Sequence, residues 1–300
     1  MSFHDATPLR HDPEALRARL REDGYLFFPG LIDPGRVQAV RADVTAVLAK
    51  HGWLAEGTDP MDARPAAKVR TFGEDDWWAG YSGILSQESF NRLAHEPALF
   101  GVMRSILGDD TMAQPMKIAR VTWPRSDYPT PPHQDFFFVR GTTDVLTSWV
   151  PLGDCPVELG GLKVLPGSHV EGLRAVEAAA GAGGITAQVD PGDPRWIGPI
   201  DYRAGDVLLF HSLTVHTAPS NEGDRLRLSA DFRFQSAADP VVAGALYPHG
   251  CGEGVPPWWA LSSGWESTEW IDVPYPVRLA PSRIDPDAVP TSRLLEGAHL

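Results

Sequence analysis

"RLRLSADFRF", residues 225–234, alternates without a break. Arg225, Arg227, Ser229, Asp231 and Arg233 share one parity, and Leu226, Leu228, Ala230, Phe232 and Phe234 share the other. Period two is the pattern of a strand with one apolar face. Two arrangements satisfy it. Either the polar face is an ordinary solvated one, or it lines a polar barrel interior while helices cover the apolar side.

The sequence upstream has the same β texture. From about residue 112, short apolar runs are separated by Gly, Pro, Asp and Asn turns: "MKIARVTW", "HQDFFFV", "VLTSWVPL", "GLKVLPG", "DVLLFHS". Six or more short strands at this spacing predict a sandwich or jelly roll. The Pro/Gly-rich residues 181–201 read as a loop. Before residue 110 the pattern is helical. Asp12 caps, Pro13 opens and Gly24 stops "HDPEALRARLREDG", with Leu16 and Leu20 one turn apart. Asp33, Pro34 and Gly52 repeat the formula around the stripe Val37, Val40, Val44, Val47 and Leu48. "YLFFPG" between them is a short strand, and residues 88–108 form a further helix or pair broken before Pro97. The fold expected is mainly β with flanking helices: a double-stranded β-helix (jelly roll, cupin-like) core with N-terminal helices packed outside. One domain is expected over 1–300, with helices in 1–110, the core in 111–236 and an irregular wrap in 237–300.

Bulk properties narrow the function. A net charge of −13 argues against nucleic acid and against a polybasic membrane contact. No run reaches the ~18 apolar residues of a membrane span. The start of the chain has no apolar signal segment, so a cytoplasmic protein is expected. Two cysteines, Cys155 and Cys251, build neither a disulfide framework nor a thiolate zinc site.

The chemistry begins at "HQD". If residues 131–139 are a strand, His133 and Asp135 leave one face, and Phe136 and Phe138 pack the other. A buried carboxylate needs a partner. On its own the pair reads as a hydrogen-bonded structural couple. A third candidate ligand, His216 or His211, lies in "YRAGDVLLFHSLTVHTAPSN". Two histidines and a carboxylate can form the facial triad of non-haem Fe(II) oxygenases, with positions left for a chelating co-substrate and O2. Spacing alone does not exclude zinc. Arg227 favours iron: on the polar face of the last strand it can clamp a carboxylate, with Ser229 adding a hydroxyl. Iron beside such a clamp points to 2-oxoglutarate. By parity, Arg225 and Arg233 compete for the clamp.

These pieces together resemble the phytanoyl-CoA dioxygenase family of Fe(II)/2-oxoglutarate oxygenases. "GYLFFPGLIDPGRVQAVRADV" is similar to its opening strand and helix, and "HQD" to its first metal motif. "TSWVPLGD" with "GGLKVLPGSH" is similar to its central block. "AGDVLLFHSLTVHTAPSN" and "RLRLS" are similar to its second metal segment and co-substrate strand. The resemblance implies Fe(II) on His133, Asp135 and His216. It implies 2-oxoglutarate on Arg227 with Ser229, bordered by Trp149. His211 is then a structural histidine, and His169 in "PGSH" belongs to a turn that shapes the fold. Some members place co-substrate contacts on the strand before the metal motif. Lys117 and Thr122 are the candidates here, with the register open, and Arg120, Phe137 and Arg233 are expected on the substrate side. The Pro-rich "WPRSDYPTPP" is expected at the pocket rim. Residues 53–90 and "PPWWALSSGWESTEW", 256–270, are expected to supply a lid.

The implied reaction is hydroxylation of a C–H bond of a small molecule, with release of succinate and CO2. Halogenating relatives lack the carboxylate that Asp135 supplies. Desaturation, epimerisation and cyclisation use the same ligands and stay open. So do a cupin-like ligand binder without oxygenase activity and a zinc hydrolase. Arg225, Arg233 and Arg120 favour an anionic or zwitterionic substrate. The composition resembles that of high-GC bacteria, in which such enzymes tailor natural products. Oligomeric state is not legible.

Overall fold

The computed structural model of the chain describes residues 2–126, 129–274, 276–281 and 289–296. In chain order the regular elements begin with α1 (Pro13–Asp23), β1 (Tyr25–Phe28) and α2 (Pro34–Lys50). Then come α3 (Asp75–Leu85), α4 (Glu88–Arg92), α5 (Pro97–Leu107), β2 (Thr111–Ala113), β3 (Ile118–Thr122) and β4 (Thr130–His133). They continue with α6 (Phe136–Val139), β5 (Leu146–Pro151), β6 (Lys163–Val164), β7 (Val176–Ala178) and β8 (Ile185–Ala187). The last are β9 (Val207–His211), β10 (His216–Ala218), β11 (Arg227–Ser236) and α7 (Trp258–Leu261).

The helix starts are set as the sequence predicts. Asp12 accepts from the Glu14 and Ala15 amides at 3.1 and 3.0 Å, and Pro13 opens α1. Gly24 ends it with a φ of 77°, and a Cβ there would sit 2.4 Å from His169 Nδ1, so glycine is required twice over. Asp33 caps α2 through the Arg36 amide at 3.1 Å.

Two sheets make the jelly roll. The larger has the order β1-β9-β5-β11-β2, with β3 also on β11; the smaller is β4-β10-β6. β11 fixes the polarity of the whole. Every residue from Arg227 to Ser236 is buried. Leu228, Ala230, Phe232 and Phe234 join Leu16, Leu20, Val37, Val44 and Leu48 in one apolar cluster under the helices. A second cluster, with Trp149, Val164, Leu208 and Phe210, is built from strands of both sheets. The polar residues of β11 are therefore an enclosed interior, and the solvated-face reading is excluded.

The expected strand through residues 131–139 stops at His133. Asp135 instead begins the helical turn α6: its carbonyl accepts from the Phe138 and Val139 amides at 2.8 and 3.0 Å. The Phe136 amide reaches Ser212 O at 3.0 Å. Three aromatics at β-favourable positions were outweighed by the tertiary need to turn the chain there. The loop expected at 181–201 begins inside a hairpin, β7–β8, whose glycine-rich tip, 181–184, leans over the site. Among the described residues no helix is long and apolar enough to cross a membrane.

Candidate active site

β10 pairs antiparallel with β4, and His216 lies opposite His133. Their rings are 4.1 Å apart, centroid to centroid. Asp135, two residues past the end of β4, closes the group: its Oδ1 is 3.8 Å from His133 Nε2 and 4.0 Å from His216 Nε2. One ligand atom from each of the three lies within 4.8 Å of the others, and all three residues are buried.

The tautomers are set from behind. His133 Nδ1 faces Pro131 O at 2.8 Å and His216 Nδ1 faces Thr214 O at 3.0 Å. A carbonyl only accepts, so both Nδ1 atoms carry the proton and both Nε2 lone pairs face Asp135. Burial pushes the His133 pKa down to about 3, with His216 beside it adding to the effect, and burial lowers His216 too. Both imidazoles are therefore neutral, as metal binding demands. Burial would raise the Asp135 carboxyl, but the Arg233 guanidinium 3.0 Å away outweighs it and holds the group ionised. Thr147 Oγ1 donates to Asp135 Oδ2 at 2.5 Å. This is a candidate facial triad with neutral nitrogens and one anionic oxygen.

Arg227 lies on the same wall. One small cavity is lined by all three triad residues together with Trp149 and Arg227. Arg227 donates to Gly160 O at 2.6 Å and to Thr122 Oγ1 at 2.8 Å, while its Nε and the hydroxyl of Ser229 are buried with no hydrogen-bond partner. Among the described residues no carboxylate pairs with it. A buried cation left partly unsatisfied is costly, and a carboxylate in the cavity is the partner that suits Arg227; Ser229 is not among the residues that line it. The donor set thus fits a divalent metal at one end of the cavity and a carboxylate-bearing co-substrate at the other.

The register that the sequence left open is fixed by β11: Thr122 lies opposite Arg227, Arg120 opposite Ser229 and Ile118 opposite Asp231. Thr122 thereby becomes the support of Arg227. Lys117 falls on the other parity and is corrected. Its Nζ donates to the carbonyls of Trp270, Pro115 and Gln114 at 2.7, 3.3 and 3.5 Å, outside the cavity. Arg225 is exposed and next to Asp224, so it is no rival clamp. Arg233, expected on the substrate, instead holds Asp135 at 3.0 Å, although it also lines the chamber above the triad. Arg120 borders that chamber too, paired with Asp231 at 2.8 Å. Phe138, expected on the outer face, faces inward, edge-on to His133 at 5.9 Å. The chamber wall is Phe138, and Phe137 is not part of it.

His211 is an anchor. The Leu213 amide donates to its Nδ1 at 3.2 Å, so Nε2–H donates to Ser292 Oγ at 3.2 Å, and Ser292 donates to Asp144 at 2.5 Å. The proton order is the reverse of a Ser-His-Asp nucleophile, in which the histidine accepts from serine. The cluster ties residues 292–295 to the core. His169 is likewise structural, with Nε2 at 3.0 Å from Arg21 O.

The chamber opens into a cavity of about 700 Å³ walled by Phe72, Trp77, Tyr81, Ile118 and Trp123. Part of the expected lid region, 53–90, supplies this wall. The tryptophans of 256–270 do not. Trp258, Trp265 and Trp270 donate their indole N–H to Leu246 O, Ser86 O and Glu88, which pins the C-terminal wrap. The residues that do reach the site, Ala245, His249 and Glu253, carry no motif. Asp127 and Tyr128 of the expected rim lie outside the described residues.

The model of the family described as phytanoyl-CoA dioxygenase (PhyH) matches residues 20–229. The chain belongs to the phytanoyl-CoA dioxygenase family. It is an Fe(II)/2-oxoglutarate-dependent oxygenase. It is 28% identical over 264 residues to the 1-deoxypentalenic acid 11-beta-hydroxylase of Streptomyces exfoliatus, covering 82% of this chain and 89% of that one. Phytanoyl-CoA dioxygenase domain-containing protein 1 of Mus musculus is 29% identical, over 74% of this chain and 90% of its own length. Among solved structures, the epimerase SnoN in complex with Fe3+, alpha ketoglutarate and nogalamycin RO superposes with a TM-score of 0.54 at 25% identity, over 76% and 85% of the two chains. The alpha ketoglutarate dependent carbocyclase SnoK from nogalamycin biosynthesis gives 0.53 at 25%, over 80% and 89%.

Proposed function

We propose that this enzyme hydroxylates a C–H bond of a small organic metabolite, with His133, Asp135 and His216 holding Fe(II) and Arg227 binding the distal carboxylate of 2-oxoglutarate. The observation that carries it is the single cavity shared by the triad and the unpaired, buried Arg227. Iron with 2-oxoglutarate and O2 supplies the oxidising power: the co-substrate leaves as succinate and CO2, and one oxygen atom enters the substrate C–H bond.

The chain's own residues orient and exclude water. Pro131 and Thr214 carbonyls hold the two imidazoles with Nε2 inward. Thr147 and Arg233 hold the carboxylate. Thr122 and Gly160 aim the Arg227 guanidinium, and Trp149 closes the side of the cavity. Arg120 and Phe138 border the substrate chamber. The arginines that favoured an anionic or zwitterionic substrate, Arg120, Arg233 and Arg225, lie beside Asp231, Asp135 and Asp224, so that preference loses its support.

A 1-deoxypentalenic acid hydroxylase among the relatives supports hydroxylation, and the similar structures of enzymes from nogalamycin biosynthesis support a role in natural-product biosynthesis. The likeness to an epimerase and a carbocyclase supports a second outcome on the same ligands, in which a C–H bond is broken without oxygen insertion. Two free cysteines suit a reducing compartment, and we place the enzyme in the cytoplasm. The test is anaerobic loading with Fe(II) and 2-oxoglutarate, a screen of metabolite pools for shifts in the metal-to-ligand absorption band, then O2. Succinate with a product heavier by one oxygen supports hydroxylation; succinate with no oxygen gained supports the second outcome. Zinc retention with turnover in the absence of O2 overturns both.

A further inference from the structure

The aromatic cavity and the chamber above the triad meet at His249, which lines both. The segment carrying it is seated tightly: Gly250 has a φ of 82°, and a Cβ there would lie 2.5 Å from the Trp78 ring. His249 Nδ1 is 2.8 Å from Tyr81 Oη. Tyr81 is buried, and among the described residues His249 Nδ1 is the acceptor its hydroxyl reaches, so the opposite arrangement would leave the O–H proton buried without a partner. Its own hydroxyl proton is then directed to His249 Nδ1. Burial, with Arg120 and Arg233 nearby, keeps His249 neutral, its pKa pushed down to about 3. A neutral imidazole that accepts at Nδ1 carries its proton on Nε2.

The wall beside it is flat and apolar. Tyr81 stacks on Trp77 at 4.4 Å and 22°, and Phe72 meets Trp77 edge-on at 4.7 Å. The two cations that line this cavity, Arg70 and Arg120, are paired with Asp76 at 3.2 Å and Asp231 at 2.8 Å. We propose that His249 positions the substrate by donating its Nε2–H to an oxygen of a flat, largely apolar molecule, aromatic or fused-ring, lying along Phe72, Trp77 and Tyr81. The inference rests on the oxygenase reading in one respect: it takes the chamber above the triad as the substrate's.

Held there, a fused-ring molecule has its oxygen at the junction and its edge toward the triad. His249 is a positioning residue that also selects: a hydrocarbon of the same shape leaves the imidazole N–H unpaired. Tyr81 acts through it by fixing the tautomer.

The test uses a matched pair, 1-tetralone and tetralin, which share a skeleton and differ by one carbonyl. Binding to the full chain loaded with Fe(II) and 2-oxoglutarate, without O2, is followed by tryptophan fluorescence. The readout is the ratio of the two dissociation constants. His249→Phe should lower the preference for the ketone about fivefold, the usual worth of one neutral hydrogen bond. His249→Gln, which keeps an N–H near the same place, should restore most of it. Tyr81→Phe should lower it in part. In the wild type, 15N spectra should show His249 as the Nε2–H tautomer, its Nε2 signal moving with 1-tetralone and not with tetralin. An unchanged ratio in His249→Phe, or an Nδ1–H tautomer in the wild type, overturns the proposal, and the second readout needs no variant to fold. Failure of the oxygenase reading would show separately, as wild-type enzyme that forms no succinate with any substrate.

Discussion

Arg227 and Lys117 are both buried cations with no carboxylate beside them among the described residues, and they do opposite things. Lys117 spreads three N–H bonds over three carbonyls, Trp270, Pro115 and Gln114, and so ties the C-terminal wrap to the edge of the core. Arg227 uses two groups on Gly160 and Thr122 and leaves Nε without a partner in the cavity that holds the triad. Burial alone does not mark a site. A satisfied buried charge is architecture, and an unsatisfied one calls for a ligand.

Arg233 is the third case, a buried cation spent on the triad carboxylate, and it gives the largest expected effect. Asp135→Ala removes one metal ligand and strands Arg233 at the same stroke. Iron retention and succinate formation should fall below detection, and the metal-free protein should lose about 3 kcal/mol of stability, the usual cost of orphaning a buried charge. Retained iron with full turnover would remove the triad assignment.

Next in size is Arg227→Met. The loss of a buried charge-assisted contact of about 3 kcal/mol corresponds to a rise of about 100-fold in the KM for 2-oxoglutarate. Iron content, read by elemental analysis, should not change. Arg227→Lys should recover only part, because one ammonium does not reproduce the fork. An unaltered KM would leave Arg227 in the same category as Lys117, and the contrast would collapse.

Lys117→Met should keep 2-oxoglutarate turnover within about twofold, since its Nζ lies away from the cavity. Its signature is in stability. Burial pushes the Lys117 pKa from 10.5 down to about 7. Above the folded value and below the unfolded one, the unfolded chain binds the extra proton, so stability rises with pH in that window. Denaturant midpoints should therefore climb from pH 7 to pH 9 in the wild type and climb less in Lys117→Met. The window excludes His95, which burial lowers to about 4, and ends where Cys155, raised by burial to about 11, starts to act with the opposite sign. A wild-type midpoint that stays flat from pH 7 to 9 would refute the burial argument.

Sequence reading found the parts whose chemistry is carried by residue type and parity. His133, Asp135 and His216 come together as the motif predicts, although Asp135 does so from a turn and not from a strand; Arg227 and Ser229 lie on the buried polar face of β11 that alternation gives them, and Asp12 and Asp33 cap as their positions predict. What it missed depends on contacts between distant segments. The role of Lys117 turns on the register of β3 against β11. The pairing of Arg233 with Asp135 spans 98 residues and has no local signature. His249 sits in an irregular stretch whose position is set by Trp78, and nothing in "YPHGCGEG" announces it.

The smallest expected effect concerns the run that alternation misread. As a strand, "HQDFFFV" would turn Phe137 inward with the ligands and Phe138 outward. As the turn α6, it puts Phe138 against His133 and beneath the glycine-rich hairpin tip, where Gly183 packs on its ring, while Phe137 is outside the chamber. Phe138→Ala should therefore open the wall next to the metal ligands. The expected result is looser coupling, with several-fold more succinate formed per substrate oxidised, because water exclusion and substrate placement both weaken. Phe137→Ala should leave the coupling ratio within about twofold, as expected of a side chain that borders neither substrate nor ligand. Measuring succinate against oxidised substrate in both variants decides between the two geometries. If Phe137 proves the sensitive position, the strand reading is right and the helical turn is wrong.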